Sequence, residues 1–253
     1  SITSSDIIVS YDADWSNPID NAPYIYDFFS ETLRSRRSFN QEFRLLSDPI
    51  GEETGQNFAW VFGAYYLDLS ERNDITDLGT YSNPFSPWPP YIQNVTGTRN
   101  YDSENKALFG TFDYLLSETL SLSFGMRWED WEANYNDTFG EEFSPSDQML
   151  GGKMSLIKDW SDEINLYASI GRGYKAGGFN LGTGFSENLY SDRLIYDPEY
   201  LWNYELGINR QFDDSSTNLD LVVFYSDRKD QQVMASTQVD PNDPNTFTFL
   251  TQN

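Results

Sequence analysis

The amino-acid sequence predicts an all-β chain, a transmembrane antiparallel up-and-down β-barrel with about ten strands present. Three observations predict this fold. Apolar and polar residues alternate with a period of two along much of the chain. Many alternating runs span about 11–14 residues, longer than an average globular strand. The connections alternate between short and long, as in outer-membrane barrels, whose tight turns all lie on one side.

Individual strands follow from the period-two pattern. The clearest run is 119–131, where Leu122, Phe124 and Trp128 share one face, and Arg127 and Glu129 share the other. Strands are also predicted at 2–13, 36–47, 57–70, 104–116, 148–160, 163–175, 201–212 and 217–227, with a tenth beginning near 246. No segment shows a convincing helical period.

The predicted connections keep a regular rhythm. Short ones fall at 48–56, 117–118, 161–162 and 213–216, and long ones at 14–35, 71–103, 132–147, 176–200 and 234–246. In a meander, this order sends every long loop to the same end of the sheet. A β-sandwich has no reason to keep such an order, whereas an outer-membrane barrel does.

The two faces of the strands have different predicted environments. The apolar face should meet lipid, because unpaired polar groups are costly in hydrocarbon, and the polar face should line the lumen. The predicted lumen-facing residues are Arg127, Glu129, Lys153, Asn203 and Glu205. Aromatic residues near strand ends predict a girdle at the level of the lipid headgroups. This girdle set is Trp128, Trp131, Trp160, Tyr174, Trp202 and Tyr204.

Composition excludes several functions. With 16 Lys and Arg against 40 Asp and Glu, the net charge is −24, and we expect no nucleic acid as a partner. The chain has no His and no Cys, so it lacks the usual general base, the commonest metal ligands and a thiol nucleophile. We therefore expect no enzyme, no cofactor and no metal site. Acidic pairs such as Asp12/Asp14, Glu141/Glu142 and Asp240/Asp243 lack EF-hand spacing, and solvated charge is the favoured interpretation.

The stretch "SIGRGYKAGGFN" (169–180) concentrates glycine and positive charge at the end of one strand. Gly171 and Gly173 share the polar face and leave room there. Gly177 and Gly178 begin a long loop, where glycine can adopt positive φ at little cost. Arg172 shares the apolar face, so it should snorkel to headgroups or to lipopolysaccharide phosphates. Lys175 has the parity of the polar face.

Several segments resemble one protein family. "YASIGRGYKAGGFN" (167–180) and "YDPEYLWNYELGINRQF" (196–212), followed by "NLDLVVFYSDRKDQQV" (218–233), are similar to parts of TonB-dependent outer-membrane receptors. "QEFRLLS" (41–47) and "FAWVFGAYYLD" (58–68) resemble an earlier hairpin of the same barrels. The motif residues that carry the resemblance are Gly171, Arg172, Gly173, Tyr174, Lys175, Gly177, Gly178, Phe179 and Asn180.

The resemblance implies more than the residue pattern does. It implies a barrel of roughly 22 strands around a plug, with residues 1–253 as part of the barrel and with the plug, the TonB box and the final strand outside this sequence. It implies a multi-pass protein of the Gram-negative outer membrane that contacts lipid and lipopolysaccharide. Through the missing N-terminal part, such a receptor would engage the TonB–ExbB–ExbD complex.

The expected function is import of a scarce nutrient: a siderophore-bound iron, cobalamin or an oligosaccharide. Aromatic residues of two proline-containing loops are the candidates for binding this small-molecule or oligosaccharide ligand, because stiffened rings lose little entropy on binding. They are Trp15, Tyr24, Tyr26, Phe85, Trp88 and Tyr91. A self-packed loop cap is the alternative for these residues. A passive porin and a secreted carbohydrate-binding or adhesion protein remain the alternative functions.

Overall fold

A computed structural model describes residues 2–14, 25–51, 54–180, 194–212, 217–238 and 247–253. Among these residues, no helix is long and apolar enough to cross a bilayer. Long strands dominate instead. In chain order they are β1 (Ile2–Asp14), β2 (Ile25–Leu46), β3 (Phe58–Ser82), β4 (Tyr91–Ser117), β5 (Leu120–Asp137), β6 (Glu142–Phe143), β7 (Ser146–Ser161), β8 (Ile164–Lys175), β9 (Gly178–Phe179), β10 (Ile195–Tyr196), β11 (Glu199–Gln211), β12 (Asn218–Lys229), β13 (Val233–Gln238) and β14 (Phe247–Gln252).

Ten of these strands form one sheet. Its order is β1-β2-β3-β4-β5-β7-β8-β11-β12, with the short β6 paired to the C-terminal end of β5. Neighbours in this order follow one another along the chain, apart from the short β6, β9 and β10, so the sheet is an antiparallel meander. The predicted all-β, antiparallel up-and-down arrangement is confirmed.

The register carries the sequence alternation across neighbouring strands. Met154 of β7 lies opposite Phe124 of β5 and Ile170 of β8. One residue earlier, Lys153 lies opposite two glycines, Gly125 and Gly171. Directly opposed residues share a face of the sheet. Rows of apolar side chains therefore alternate across the strands with rows that carry polar side chains or glycine. We call these the apolar face and the polar face.

The strands around the long connections extend further than predicted. The segment 71–103, predicted as a loop, is instead a hairpin: β3 continues to Ser82, β4 starts at Tyr91, and only 83–90 connect them. Likewise β2 already begins at Ile25, inside the predicted loop 14–35. These extensions mix polar residues with scattered apolar ones such as Ile75, Leu78 and Val95, so they show no clear hydrophobic period. Their backbone pairing and cross-strand side-chain hydrogen bonds keep them in the sheet.

The predicted tenth strand has a different role. Residues Phe247–Gln252 form β14, which pairs with β13 in a separate two-stranded sheet. β13 itself (Val233–Gln238) lies almost wholly within the predicted long loop 234–246. The predicted strand beginning near 246 is thus confirmed at Phe247, while its pairing with β13 outside the ten-stranded sheet was not predicted.

The chain divides into two compact units. The first contains Ser1–Gln41, Leu67–Glu104 and Ala133–Ser144. The second contains Glu42–Tyr66, Asn105–Glu132 and Pro145–Asn253. The second unit includes the fully registered strands β7, β8 and β11 together with the β13–β14 hairpin.

The apolar face of the second unit is open rather than packed. Phe124 is 44% exposed and Leu206 is 63% exposed, and neither Leu122 nor Ile208 is buried. Large side chains that are fully buried among the described residues are few, namely Tyr135, Met149 and Leu250. In water such an apolar face would be strongly unfavourable, whereas acyl chains solvate it well.

Candidate ligand-facing site on the polar face

Glu129 is the centre of a hydrogen-bonded cluster on the polar face of the second unit. Its Oε2 accepts from Arg127 Nε at 2.6 Å and from the Tyr174 hydroxyl at 2.7 Å. Its Oε1 accepts from Asn105 Nδ2. Only 13% of the Glu129 side chain is exposed, so these donors replace the water that the carboxylate loses. Two of the predicted lumen-facing residues, Arg127 and Glu129, thus form one ion pair.

Aromatic rings flank the same arginine. The Arg127 guanidinium carbon lies 5.5 Å from the Tyr65 ring centroid and 5.9 Å from that of Phe109. Arg44 approaches the Phe109 ring from β2, also at 5.9 Å. The Phe109 ring covers Gly63, where any Cβ would overlap it. The wall here presents two guanidinium groups around a flat ring, each paired with a glutamate, a surface suited to an aromatic ligand.

The other three predicted lumen-facing residues lie along neighbouring rows. Lys153 and Asn203 are the two register partners of Gly171, so the missing side chain of Gly171 leaves a gap between them. Asn203 donates to Glu205 at 2.6 Å and accepts from the Ser226 hydroxyl at 2.7 Å. The polar face therefore continues from β7 to β12.

Tyr174 departs from the predicted girdle. Strict alternation would place it with Ile170 and Arg172 on the apolar face. Its hydroxyl instead reaches Glu129, and its ring lies against Gly151, 2.8 Å from where a Cβ would be. Tyr174 still pairs with Tyr200 of β11, but it lies beyond the last β7–β8 pair, Gly152↔Arg172, where its ring can turn over Gly151.

The glycines of the "GYKAGGFN" motif are required for space. Gly177 and Gly178 do not use the positive φ that glycine allows; among the described glycines only Gly55 and Gly140 have it. A Cβ on Gly178 would lie 2.5 Å from the Tyr196 hydroxyl, and one on Gly177 would overlap the Tyr196 carbonyl oxygen. Both residues are buried. The neighbouring Phe179 pairs with Ile195 in the β9–β10 bridge, and Lys175 pairs with Glu199.

Asp147 fixes the start of this motif loop. Its Oδ2 accepts from the Gly177 backbone N–H at 3.1 Å. Burial raises the pKa of the Asp147 carboxyl; the Gly177 hydrogen bond opposes this, and the charge of Asp197 adds to it. The loop is thus attached to the start of β7.

Asn180 ends the motif as a structural clamp. It is buried, and it exchanges two hydrogen bonds with the Thr251 backbone, at 2.8 and 2.9 Å. Gln232 donates to the backbone carbonyls of Ala176 and Asp197. Asn253 closes the same assembly through Asp197, at 2.6 and 2.9 Å. The motif loop and the β13–β14 hairpin are therefore docked together by side-chain amides.

The first unit has a separate polar network between β2 and β3. Glu71 pairs with Arg36 at 2.5 Å and with Arg34 at 3.3 Å, and it accepts from Asn73 at 3.0 Å. Burial acts to raise the pKa of the Glu71 carboxyl, but the bonds from Asn73 and Arg36 and the charge of Arg34 outweigh it and lower that pKa. This network fixes the extended part of the hairpin electrostatically.

The six aromatic residues predicted to bind a ligand lie in different parts of the chain. Phe85 and Trp88 are 76% and 79% exposed at the tip of the β3–β4 hairpin, and Tyr91 is 58% exposed at the start of β4. Asn83 Oδ1 and Ser86 Oγ each accept a backbone N–H two residues later, which fixes the tip. Trp15 and Tyr24 lie outside the described residues, and Tyr26 belongs to β2. The described residues therefore do not show these six side chains together in one site.

Sequence reasoning missed Asn105, Tyr65 and Phe109. All three residues have odd numbers, as do the polar-face residues of β5, β7 and β8. The segment 57–70 of β3 carries apolar residues at both even and odd positions, so its sequence did not indicate which face is polar. A glycine opposite an aromatic, such as Gly63 with Phe109, was the available signal. Within the described ranges, no group of three acidic side chains is arranged to hold a metal ion.

Comparison with known proteins places this geometry in context. A family model described as TonB dependent receptor-like, beta-barrel matches residues 3–253. A pesticin receptor of Yersinia enterocolitica (serotype O:8) is 23% identical over 181 residues, which is 68% of this chain and 24% of that protein. The pesticin receptor of Yersinia pestis matches equally, at 23% over the same length. The chain spans about a quarter of the length of these curated relatives.

Solved structures give the same fold. The ferric yersiniabactin uptake receptor FyuA from Yersinia pestis superposes with a TM-score of 0.58 at 18% identity, covering 91% of this chain and 36% of that one. The copper transporter OprC gives a TM-score of 0.59 at 12% identity, covering 91% of this chain and 38% of that one. At these identities the likeness concerns the fold alone.

Proposed function

Because the chain belongs to the TonB-dependent receptor family, by the match of its β-barrel model to residues 3–253, we propose that the protein containing it imports a scarce nutrient across the outer membrane. Residues 1–253 supply part of the barrel wall. The apolar face contacts lipid and lipopolysaccharide, and the TonB–ExbB–ExbD complex supplies energy through another part of the protein. The open apolar face, with Leu206 63% exposed, supports the membrane location.

The ligand we propose is a ferric siderophore. The names of the relatives support this class, since one is a ferric yersiniabactin uptake receptor. The chain itself offers surfaces suited to a charged, ring-bearing chelate: the exposed Phe85 and Trp88, and the Arg127–Tyr65–Phe109 cluster. Ligand rings stack on aromatic side chains and on the planar guanidinium groups of arginine.

The single observation that carries the ligand proposal is the rigid aromatic tip at 83–90. Large apolar side chains that are this exposed and held by local hydrogen bonds mark an interaction surface. The ligand proposal is tested by replacing Phe85 and Trp88 with alanine in the intact receptor. Uptake of each radiolabelled ligand is measured in cells that lack the native receptor gene and express each variant, with ferric yersiniabactin, ferric citrate, cobalamin and a maltodextrin offered in turn.

We expect uptake of at least one ferric chelate, its loss without TonB, and a roughly tenfold weaker apparent affinity in the double variant, as for loss of a binding hot spot. Met234→Ala is the matched control, since it removes a side chain that is 75% exposed from another hairpin. Uptake that persists without TonB would indicate a porin. Uptake of cobalamin or maltodextrin alone would reject the siderophore proposal while keeping the importer.

A further inference from the structure

Arg172 lies on the apolar face of the second unit, and its contacts differ from those of several other arginines. Arg127, Arg210 and Arg228 each pair with a glutamate, at 2.6, 3.8 and 3.1 Å. Within the part of the chain that the structure describes, Arg172 forms no such ion pair. A cation on a lipid-solvated face needs an anion or water, because isolated charge is costly in hydrocarbon.

Arg172 is nevertheless held in one place. Its guanidinium carbon lies 4.0 Å from the Tyr200 ring centroid and 5.9 Å from that of Trp202. Its Nη1 donates to the Leu150 carbonyl oxygen at 2.5 Å. One of five N–H donors is thereby used to orient the group, while the stacking leaves its charge intact. The arrangement presents a fixed cation to an external acceptor such as a phosphate.

A groove runs along the apolar face from this cation. It begins at Gly152, the register partner of Arg172, where the row lacks a side chain between Met126 and Arg172. Phe124, Met126, Leu150, Met154, Ile170 and Trp202 form its apolar walls near Arg172.

The groove continues toward the middle of the strands. A second depression shares Met154 and Ile170 with the first and passes over the small Ala168 to Leu206. From Arg172 to Ala168 is about 13 Å along β8. A length of apolar groove ending at a fixed cation fits one acyl chain whose headgroup carries a phosphate.

We infer that Arg172 and this groove form a binding site for lipid A of the outer leaflet, with a phosphate on the guanidinium and one acyl chain between Gly152 and Ala168. The choice of lipid A rests on the proposed outer-membrane location. Arg172 lies near the end of β8 that leads into the long connection, and long connections lie outside the cell in such barrels. The site needs neither the nutrient nor TonB.

The experiment is native mass spectrometry of the intact receptor, released from detergent after addition of defined bisphosphorylated lipid A and without any nutrient. We expect one lipid A to be retained by the unaltered receptor, and Arg172→Gln to weaken this retention about tenfold, or ~1.4 kcal/mol. Arg172→Lys should keep part of it, since the charge remains but the planar fork is lost. Lipid A stripped of phosphate should bind as weakly to the unaltered receptor as lipid A does to R172Q.

Arg210→Gln is the matched control. Arg210 shares the apolar face and stacks on Phe212 at 4.6 Å, but it lies near the opposite end of β11 and has Glu163 as a partner. Equal retention by the unaltered receptor and R172Q, or an equal loss in R210Q, would overturn the site. Equal retention of phosphatidylglycerol would show a general anionic-lipid contact and reject lipid A. Iron uptake by R172Q, measured separately, tells failure of this site from failure of the importer.

Discussion

Asn180 shows how one side chain can act as a backbone segment. Its amide accepts from the Thr251 N–H and donates to the Thr251 carbonyl, as a neighbouring strand would. We expect Asn180→Ala to release 247–253 from the motif loop at a cost of about 1–2 kcal/mol, because two partly buried backbone groups of Thr251 lose their partners. Hydrogen exchange of 247–253 in the intact receptor measures this. Asn136→Ala, an exposed amide paired with Asn100, is the control and should leave that segment unchanged.

Glu71 gives the first unit a pH dependence. Its folded-state pKa is lowered, so its contribution to stability is present above the unfolded-state value of about 4.3 and is lost as pH falls through the folded-state pKa. We expect Glu71→Gln to lower stability by about 1 kcal/mol at pH 7 and by less below about pH 4. Thermal unfolding of the intact receptor over that range measures the difference. Glu118→Gln, in an exposed turn, should show no such convergence.

At the residue scale, the sequence predicted which residues share a face, but it did not predict the contact that each residue makes. Alternation correctly grouped Arg127 with Glu129, but it could not show that Asn105 and Tyr174 complete their cluster. Gly177 and Gly178 were expected to allow positive φ, whereas they make room for Tyr196. A sequence shows that glycine is present and cannot distinguish these two needs.

At the scale of elements, aromatic rings repeatedly cover glycines of a neighbouring strand. Phe109 covers Gly63, and Tyr167 of β8 covers Gly207 of β11, so in each case a bulky side chain fills the space of a missing one. The strands therefore gain packing on the polar face without a second layer.

This pairing makes specific glycines indispensable. A Cβ at Gly207 would overlap the Tyr167 ring, so we expect Gly207→Ala to cost about 1–3 kcal/mol through overpacking. Gly173→Ala is the matched control, because a Cβ there would have nothing within 4 Å and its φ is not positive. Urea unfolding of the intact receptor in lipid vesicles compares the two. Equal effects would show that general strand propensity, and not the Tyr167 contact, decides the outcome.

Strand lengths were predictable only where one face is apolar. The ends of β5 and β7 near their two-residue turns agree within a residue or two with the alternation. The outer halves of β3 and β4 were missed because polar residues such as Arg72, Asn73 and Asn100 occur at both even and odd positions, among scattered apolar ones. Their pairing depends on contacts such as Thr98 with Asp74 at 2.8 Å, which lie far apart in sequence.

At the scale of the whole molecule, the net charge of −24 and the open apolar face have to be explained together. A soluble acidic protein would bury its apolar residues, whereas here the strands carry them on an open face in unbroken rows, one from Met154 to Tyr225 and one from Leu156 to Val223. The charge is carried largely by residues outside these rows. Lipid on the apolar face and water on the polar face satisfy both sets of residues.

That division can be tested at two nearby positions of β11. Leu206 is 63% exposed in the middle of the apolar face, and Asn209 lies on the polar face opposite Asp220. An arginine that faces hydrocarbon near the bilayer midplane costs about 2–4 kcal/mol, so Leu206→Arg should destabilise the intact receptor in vesicles by that amount. Asn209→Arg should cost less than about 1 kcal/mol, since Asp220 can pair with it in a wet environment. If both substitutions proved equally mild, water would be the solvent of both faces, and the membrane assignment would have to be abandoned.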